Sequence, residues 1–323
     1  MNKKSFLMVY DNQWNVPNGD PFTGTQRMDE ITGKALVSDL RIKRFIRDKF
    51  IELLEDDIFY KYDEISIKKF MTEYKKSKMS GAAAVFNKYS TEKNLNTDTK
   101  NKSKDDFVSA KEVMLKFIDV KLFGGVLSEE GNSVSLTGAV QFKNLNESLN
   151  KVSLYTMQNT TIFPSSTDNS QGSIGTTLLV PYSIFAIEGW LDEETAKLNG
   201  LVDTDIEKMM SCLWLGIKDK NTKSKTQQSP ILMLEINYKG YDYKYNENKK
   251  IYKTIKNLKS LISLDTDISD EDIRSRGDFK MNIDSLIESC NSEDIEYVNF
   301  YSEDKVIKES LLQNSKFKFK DIN

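Results

Sequence analysis

The sequence predicts an α+β fold in which strands alternate with two amphipathic helices around one large core. Three observations support that class. Apolar runs of strand length recur at residues 6–10, 134–142, 178–188 and 231–238. Two other segments, 38–54 and 203–217, repeat apolar residues at helical spacing. At 38% apolar and 11% aromatic content, 323 residues can bury a sizeable interior.

In chain order, residues 6–10 form an unbroken apolar strand that stops at turn-forming residues. A turn cluster, Pro17-Asn18-Gly19-Asp20-Pro21, leads through a polar loop to Ser38, a suitable N-cap. Apolar positions 42, 45, 46, 50 and 53 then predict a helix to about Leu54, ended by Glu55-Asp56-Asp57. Residues 61–110 read as an insertion: 61–104 hold 11 basic and 5 acidic side chains, and 87–104 have almost nothing to bury. Residues 117–122 are a strand candidate. Residues 134–142 alternate as one strand, with Val134, Leu136, Val140 and Phe142 on one face and small residues opposite. Gly138 inside it marks close approach by a ligand or another backbone.

Residues 144–176 mix strand-like pieces with turn residues, as a long hairpin does. Pro181 places strand 178–188 at an edge or a bulge. Helix 203–217 carries a stripe from Ile206 to Ile217, with Thr204 and Glu207 spaced as a capping box. A polar loop, 218–226, feeds strand 231–238. Residues 316–320 alternate Lys and Phe, as a protected edge strand does. This order is compatible with a ferredoxin-like βαββαβ unit carrying insertions. The core is then 1–60 with 111–240, and the charged segment 241–323 is an elaboration with 14 basic and 17 acidic side chains.

Composition removes several function classes. Histidine is absent, so imidazole bases, Ser-His or Cys-His nucleophile pairs and His metal sites are excluded. The two cysteines, Cys212 and Cys290, make no metal or disulfide framework, which suits a reducing, cytoplasmic setting. No stretch is apolar enough to predict a membrane span. No phosphate-cradling glycine motif occurs, and no cofactor is expected. A net charge of −3 argues against a surface that coats nucleic acid throughout, but it can hide a local basic stripe.

The candidate binding residues are cationic and local. Only six arginines occur, and four of them, Arg27, Arg41, Arg44 and Arg47, lie within residues 16–49. The guanidinium fork suits phosphates and stacked bases better than the ammonium of Lys. Arg41, Lys43, Arg44 and Arg47 share one helix; the alternative is a solvated face balanced by Asp39 and Asp48. Asn18-Gly19-Asp20 could present amides to a phosphate, or be no more than a tight turn. Thr222-Lys223-Ser224-Lys225 puts hydroxyls and ammonium groups together between a helix and a core strand; cations after a helix also serve its dipole.

Five short motifs in register carry a family resemblance. They are Asn18-Gly19-Asp20-Pro21, Arg27-Met28-Asp29 with Ser38-Asp39-Leu40-Arg41-Ile42-Lys43-Arg44, Leu122-Phe123-Gly124, 135–142 (SLTGAVQF) and Thr222–Lys225. Together they resemble the Cas-seven family of CRISPR-associated proteins, in its Csh-two (type I-B) branch, with the type I-C branch next nearest. Val16, Gln26 and Lys223 depart from the usual pattern.

The resemblance implies an RRM-like palm, a helical insertion at 61–110 and a β-hairpin thumb at 145–176. It implies a non-catalytic subunit with no metal that binds the guide (crRNA) without reading its sequence. Copies would stack head to tail along the guide, meet target DNA through it, and join other Cascade subunits. The RNA-binding residues would be Asn18, Gly19, Asp20, Arg27, Ser38, Arg41, Lys43, Arg44, Arg47, Thr137, Gly138, Thr222, Lys223, Ser224 and Lys225. Two rivals stand beside this reading. One is a metal-dependent ribonuclease using Asp20 or Asp29, as type III relatives do. The other is a stand-alone RNA-binding regulator.

Overall fold

The computed structural model describes residues 1–54, 58, 111, 114–129, 132–160, 174–220, 222 and 225–322. The expected insertion at 61–110, the middle of the expected thumb (161–173), Lys223 and Ser224 lie outside the described residues. The fold is mixed α+β, with one large mixed sheet and few helices. The chain divides into two compact units. One comprises Lys43–Gln141 and Trp190–Leu213; the other comprises Asn2–Ile42, Phe142–Gly189 and Trp214–Asn323.

The strands are β1 (Lys4–Asn15), β2 (Met28–Asp29), β3 (Lys34–Ser38), β4 (Gly124–Glu129), β5 (Asn132–Thr137), β6 (Val140–Phe142), β7 (Leu145–Lys151) and β8 (Tyr155–Thr160). They continue with β9 (Ile174–Leu191), β10 (Gln228–Tyr238), β11 (Tyr241–Tyr243), β12 (Asn246–Ile251), β13 (Ser263–Asp265), β14 (Lys280–Asn282), β15 (Ile295–Tyr301) and β16 (Phe317–Phe319). The helices are α1 (Asp39–Leu54), α2 (Ile118–Phe123), α3 (Glu193–Leu198), α4 (Asp203–Lys218), α5 (Asp284–Cys290) and α6 (Lys305–Leu312).

The main sheet runs β16-β15-β10-β1-β9-β7-β3-β2, and β8 pairs with the outer part of β9. Strand β1 is central, with Phe6 to Tyr10 all buried, which is why it reads as a continuous apolar run. Its Leu7 and Val9 join Tyr182, Ile184, Leu234 and Ile236 in a core that Leu258, Ile273, Met281 and Leu286 complete. Residues after 240 therefore supply the cover of one sheet face. They also extend the sheet: β15 pairs antiparallel with β10, and β16 pairs parallel with β15 at the edge where its lysines were expected.

Four expectations need correction. Where a strand was expected over 117–122, Ile118–Phe123 form the helix α2, with Asp119, Val120, Leu122 and Phe123 buried at helical spacing. Residues 134–142 form two strands, β5 and β6, separated at Gly138-Ala139, and Ala139 is buried instead of lining the outer face. Strand β9 lies between β1 and β7 in the sheet order, so of the two expectations for Pro181 an outer edge strand does not hold. Pro181 sits between the stretch that pairs with β8 and the stretch that meets β7 at Phe185. There the Asn150 side chain replaces ladder bonds, accepting from Ile184 N–H at 3.0 Å and donating to Tyr182 C=O at 3.2 Å. Finally, α4 starts at Asp203 with Asp205 accepting from the Val202 N–H at 3.0 Å, two residues earlier than the Thr204/Glu207 box.

Candidate nucleic-acid interface

The loop before α1 is built around two polar side chains. Asn18 Oδ1 accepts from both the backbone N–H and the hydroxyl of Ser38, each at 2.8 Å. Ser38 Oγ accepts from the Arg41 N–H at 3.4 Å, the N-cap role expected of it. Gln26, which the sequence marked only as a departure from a family pattern, is 3% exposed. Its amide accepts from the Asn18 N–H at 2.8 Å and donates to Leu36 C=O at 2.8 Å, clamping the loop onto β3. Gly19 bridges to Gln26 beside it.

Both loop carboxylates have local work. Asp20 accepts from the Phe22 N–H at 2.8 Å and pairs with Arg27 at 3.1 Å. Asp29 accepts from the Ile31 N–H at 3.0 Å and the Thr32 hydroxyl at 2.8 Å, and the Thr32 bond leads in holding its carboxyl below the usual range. These are turn-stabilising bonds of the kind Asp makes with its own backbone two residues on. Among the described residues no three acidic or thiol side chains gather as a metal site.

Two of the expected cations feel each other's charge within the unit that contains the main sheet. Lys225 closes a turn by donating its N–H to Thr222 C=O at 2.9 Å, and its side chain is half-buried. Burial, then the charge of Arg41, then that of Lys220, push its pKa down to about 8. Arg41 also acts on the buried Tyr10 phenol. A helix and a loop 184 positions apart in sequence thus bring like charges close, an arrangement that disfavours the charged form unless an anion stands nearby.

The other unit holds the remaining helix cations, and it engages them differently. Arg47 Nε donates to Asp119 Oδ2 at 3.0 Å; Asp119 is fully buried and Arg47 is 15% exposed. The same guanidinium lies 5.4 Å from the Phe123 ring centroid, and the buried Lys43 ammonium lies 5.8 Å from it. Arg44 is exposed and pairs with Asp48 one turn on at 2.6 Å. An exposed pair of this kind holds only ~0.3–0.5 kcal/mol, so Arg44 can exchange it for a phosphate, whereas Arg47 is committed to a buried partner.

Thr137 is exposed, and its C=O accepts from Asn199 Nδ2 at 2.9 Å. The same Asn199 amide donates to Lys121 C=O at 3.0 Å, so a residue with no sequence signal ties α2 to β5. Gly138 approaches another backbone: a Cβ there would stand 2.2 Å from the Phe123 carbonyl carbon. Of the expected residues, then, Arg41 acts electrostatically on Lys225, Asn18 and Ser38 support the helix start, and Arg27 and Arg47 make ion pairs.

This geometry defines a mixed-sheet protein with a cationic corner beside a polar loop. The same fold occurs in a chain of a solved complex titled "CRISPR RNA-guided surveillance complex, pre-nicking", at a TM-score of 0.53 and 12% identity over 99% of this chain and 96% of that one. Residues 2–284 match the family model for CRISPR-associated protein Cas7, and the chain belongs to that family. The CRISPR-associated protein Cas7 of Haloferax volcanii is 27% identical over 90% of this chain and 83% of its own length.

Proposed function

We propose that the chain is a non-catalytic backbone subunit of a type I CRISPR effector, of the I-B kind. It binds guide RNA by phosphate and ribose and polymerises head to tail along it. The reading rests on Cas7 membership and, within this molecule, on the charge of Arg41 acting on half-buried Lys225. A guide carrier must accept any spacer, so cations that hold the backbone suit it better than groups that read base edges. The strand order β10-β1-β9-β7, with α1 and α4 falling between β1 and β7 and between β9 and β10 in sequence, supports an RRM-like palm. On this reading 61–110 is the insertion, 145–176 the thumb, and Lys223 and Ser224 extend the anchor around Lys225. Target DNA is met through the guide, and other Cascade subunits complete the assembly in the cytoplasm. No helix among the described residues is long and apolar enough to cross a membrane.

Substitution tests the phosphate-holding role. Arg41→Ala should weaken binding of two unrelated single-stranded RNAs by the same factor and lower the salt slope by ~0.7. A loss that depends on RNA sequence sinks the proposal.

A further inference from the structure

The end of β1 carries an aromatic side chain in a place that folding alone does not explain. Trp14 has φ +50°, a left-handed conformation that bulky residues rarely adopt, and it is 43% exposed. Such a backbone is strained, and the indole it presents stays partly open to solvent. The kink is nonetheless firmly held. Asn15, only 2% exposed, donates its amide to Gln13 C=O at 2.9 Å and to Thr226 C=O across the ladder. Gln13 N–H donates to Gln227 C=O at 3.3 Å. Gln227 is itself at φ +54°, so two of the three non-glycine positive-φ residues among the described ones lie at this strand end, where Asn12 pairs with Gln228.

The result is an outward-facing ring pair. Trp14 meets Tyr155 of β8 edge to face, with centroids 5.4 Å apart and planes at 89°. Tyr155 is 53% exposed. The strand end that pins Trp14 continues directly into Lys225, whose neighbour Thr226 bonds Asn15, and Arg41 lies near Lys225. Aromatic faces beside cations are the chemistry of single-stranded nucleic acid, in which bases stack on rings while ammonium and guanidinium groups follow the phosphates.

We propose that Trp14, braced by Tyr155, is a stacking platform for one base of the single-stranded RNA whose phosphates Arg41 and Lys225 hold. The inference rests on the guide-binding reading and adds a base contact to it. Every base has a π-face, so the platform serves any guide sequence.

Filter binding of the full chain to a short oligouridine and to an abasic RNA of equal length and charge tests it. Trp14→Gly should bind oligouridine about tenfold or more weakly, bind abasic RNA as wild type does, and keep the salt slope. Trp14→Phe should retain most of the oligouridine affinity. An equal loss on both RNAs, or no loss on either, overturns the platform and leaves the guide-binding reading standing. Unchanged RNA binding with lost self-association in sedimentation overturns it in favour of a contact between copies. If wild type binds neither RNA, both the platform and the guide-binding function fall.

Discussion

Lys225 joins sequence, electrostatics and binding in a single side chain. Burial leads, and the charges of Arg41 and Lys220 add, in lowering its pKa from 10.5 to about 8. A phosphate between Arg41 and Lys225 offsets the like charges and raises the value again, so binding takes up a proton near and above pH 8. RNA affinity at fixed salt should therefore fall about tenfold between about pH 7 and about pH 9.5, as one charge-assisted contact is lost. Stability of the free chain should move the other way. Between about 8 and 10.5 only the unfolded state keeps the Lys225 proton, so this group contributes stability that rises with pH across that window. Lys225→Arg should keep the affinity and flatten the affinity profile. Wild-type affinity that stays level across the same range rules out Lys225 as an anchor.

At the scale of elements, the junction of α2 with β4 and β5 shows what a single glycine can hold. A Cβ at Gly138 would lie 2.3 Å from Gly124 N, and one at Gly124 would lie 2.4 Å from Leu136 C=O oxygen. All of these neighbours are backbone, which cannot swing aside. Gly138→Ala should cost ~1–3 kcal/mol in urea unfolding, while the folded fraction binds RNA as before. Full stability with weakened RNA binding would instead mark Gly138 as a ligand contact. This junction also shows the reach of sequence reading. Helix α1 was legible because its cap, its acidic first turn and its buried stripe at Ile42, Phe45, Ile46 and Phe50 are all local. Helix α2 was not, since 117–122 alternates well enough for a strand. What decides it is Asp119 turning inward to Arg47, a partner 72 positions away. The cationic corner was half legible for the same reason. Composition singled out Arg41 and Lys225, but only folding could make them neighbours and direct Arg47 to an internal carboxylate. Trp14 was missed because backbone strain leaves no trace in periodicity.

For the whole molecule, 46 basic and 49 acidic side chains leave a net charge of −3, so any hold on a polyanion has to come from cations gathered locally. A nearly balanced surface also lets identical copies stack without strong mutual repulsion, as a head-to-tail array requires. An array of this kind could either hold RNA or cut it, and the two need different side chains. Cutting with a divalent cation needs carboxylates that can give their oxygens to the ion. Histidine is absent, and the loop carboxylates are engaged: Asp20 by Arg27 and the Phe22 N–H, Asp29 by Thr32 and the Ile31 N–H. Metal binding would have to displace those bonds, and at Asp20 an ion pair as well. Incubating the guide-loaded assembly with complementary RNA and Mg²⁺ should therefore leave that RNA intact over hours. Asp29→Ala should only loosen the 29–32 turn, with guide affinity unchanged. Cuts at regular intervals along the RNA that vanish in Asp20→Ala or Asp29→Ala would make the subunit a nuclease, with the guide grip serving to position its substrate.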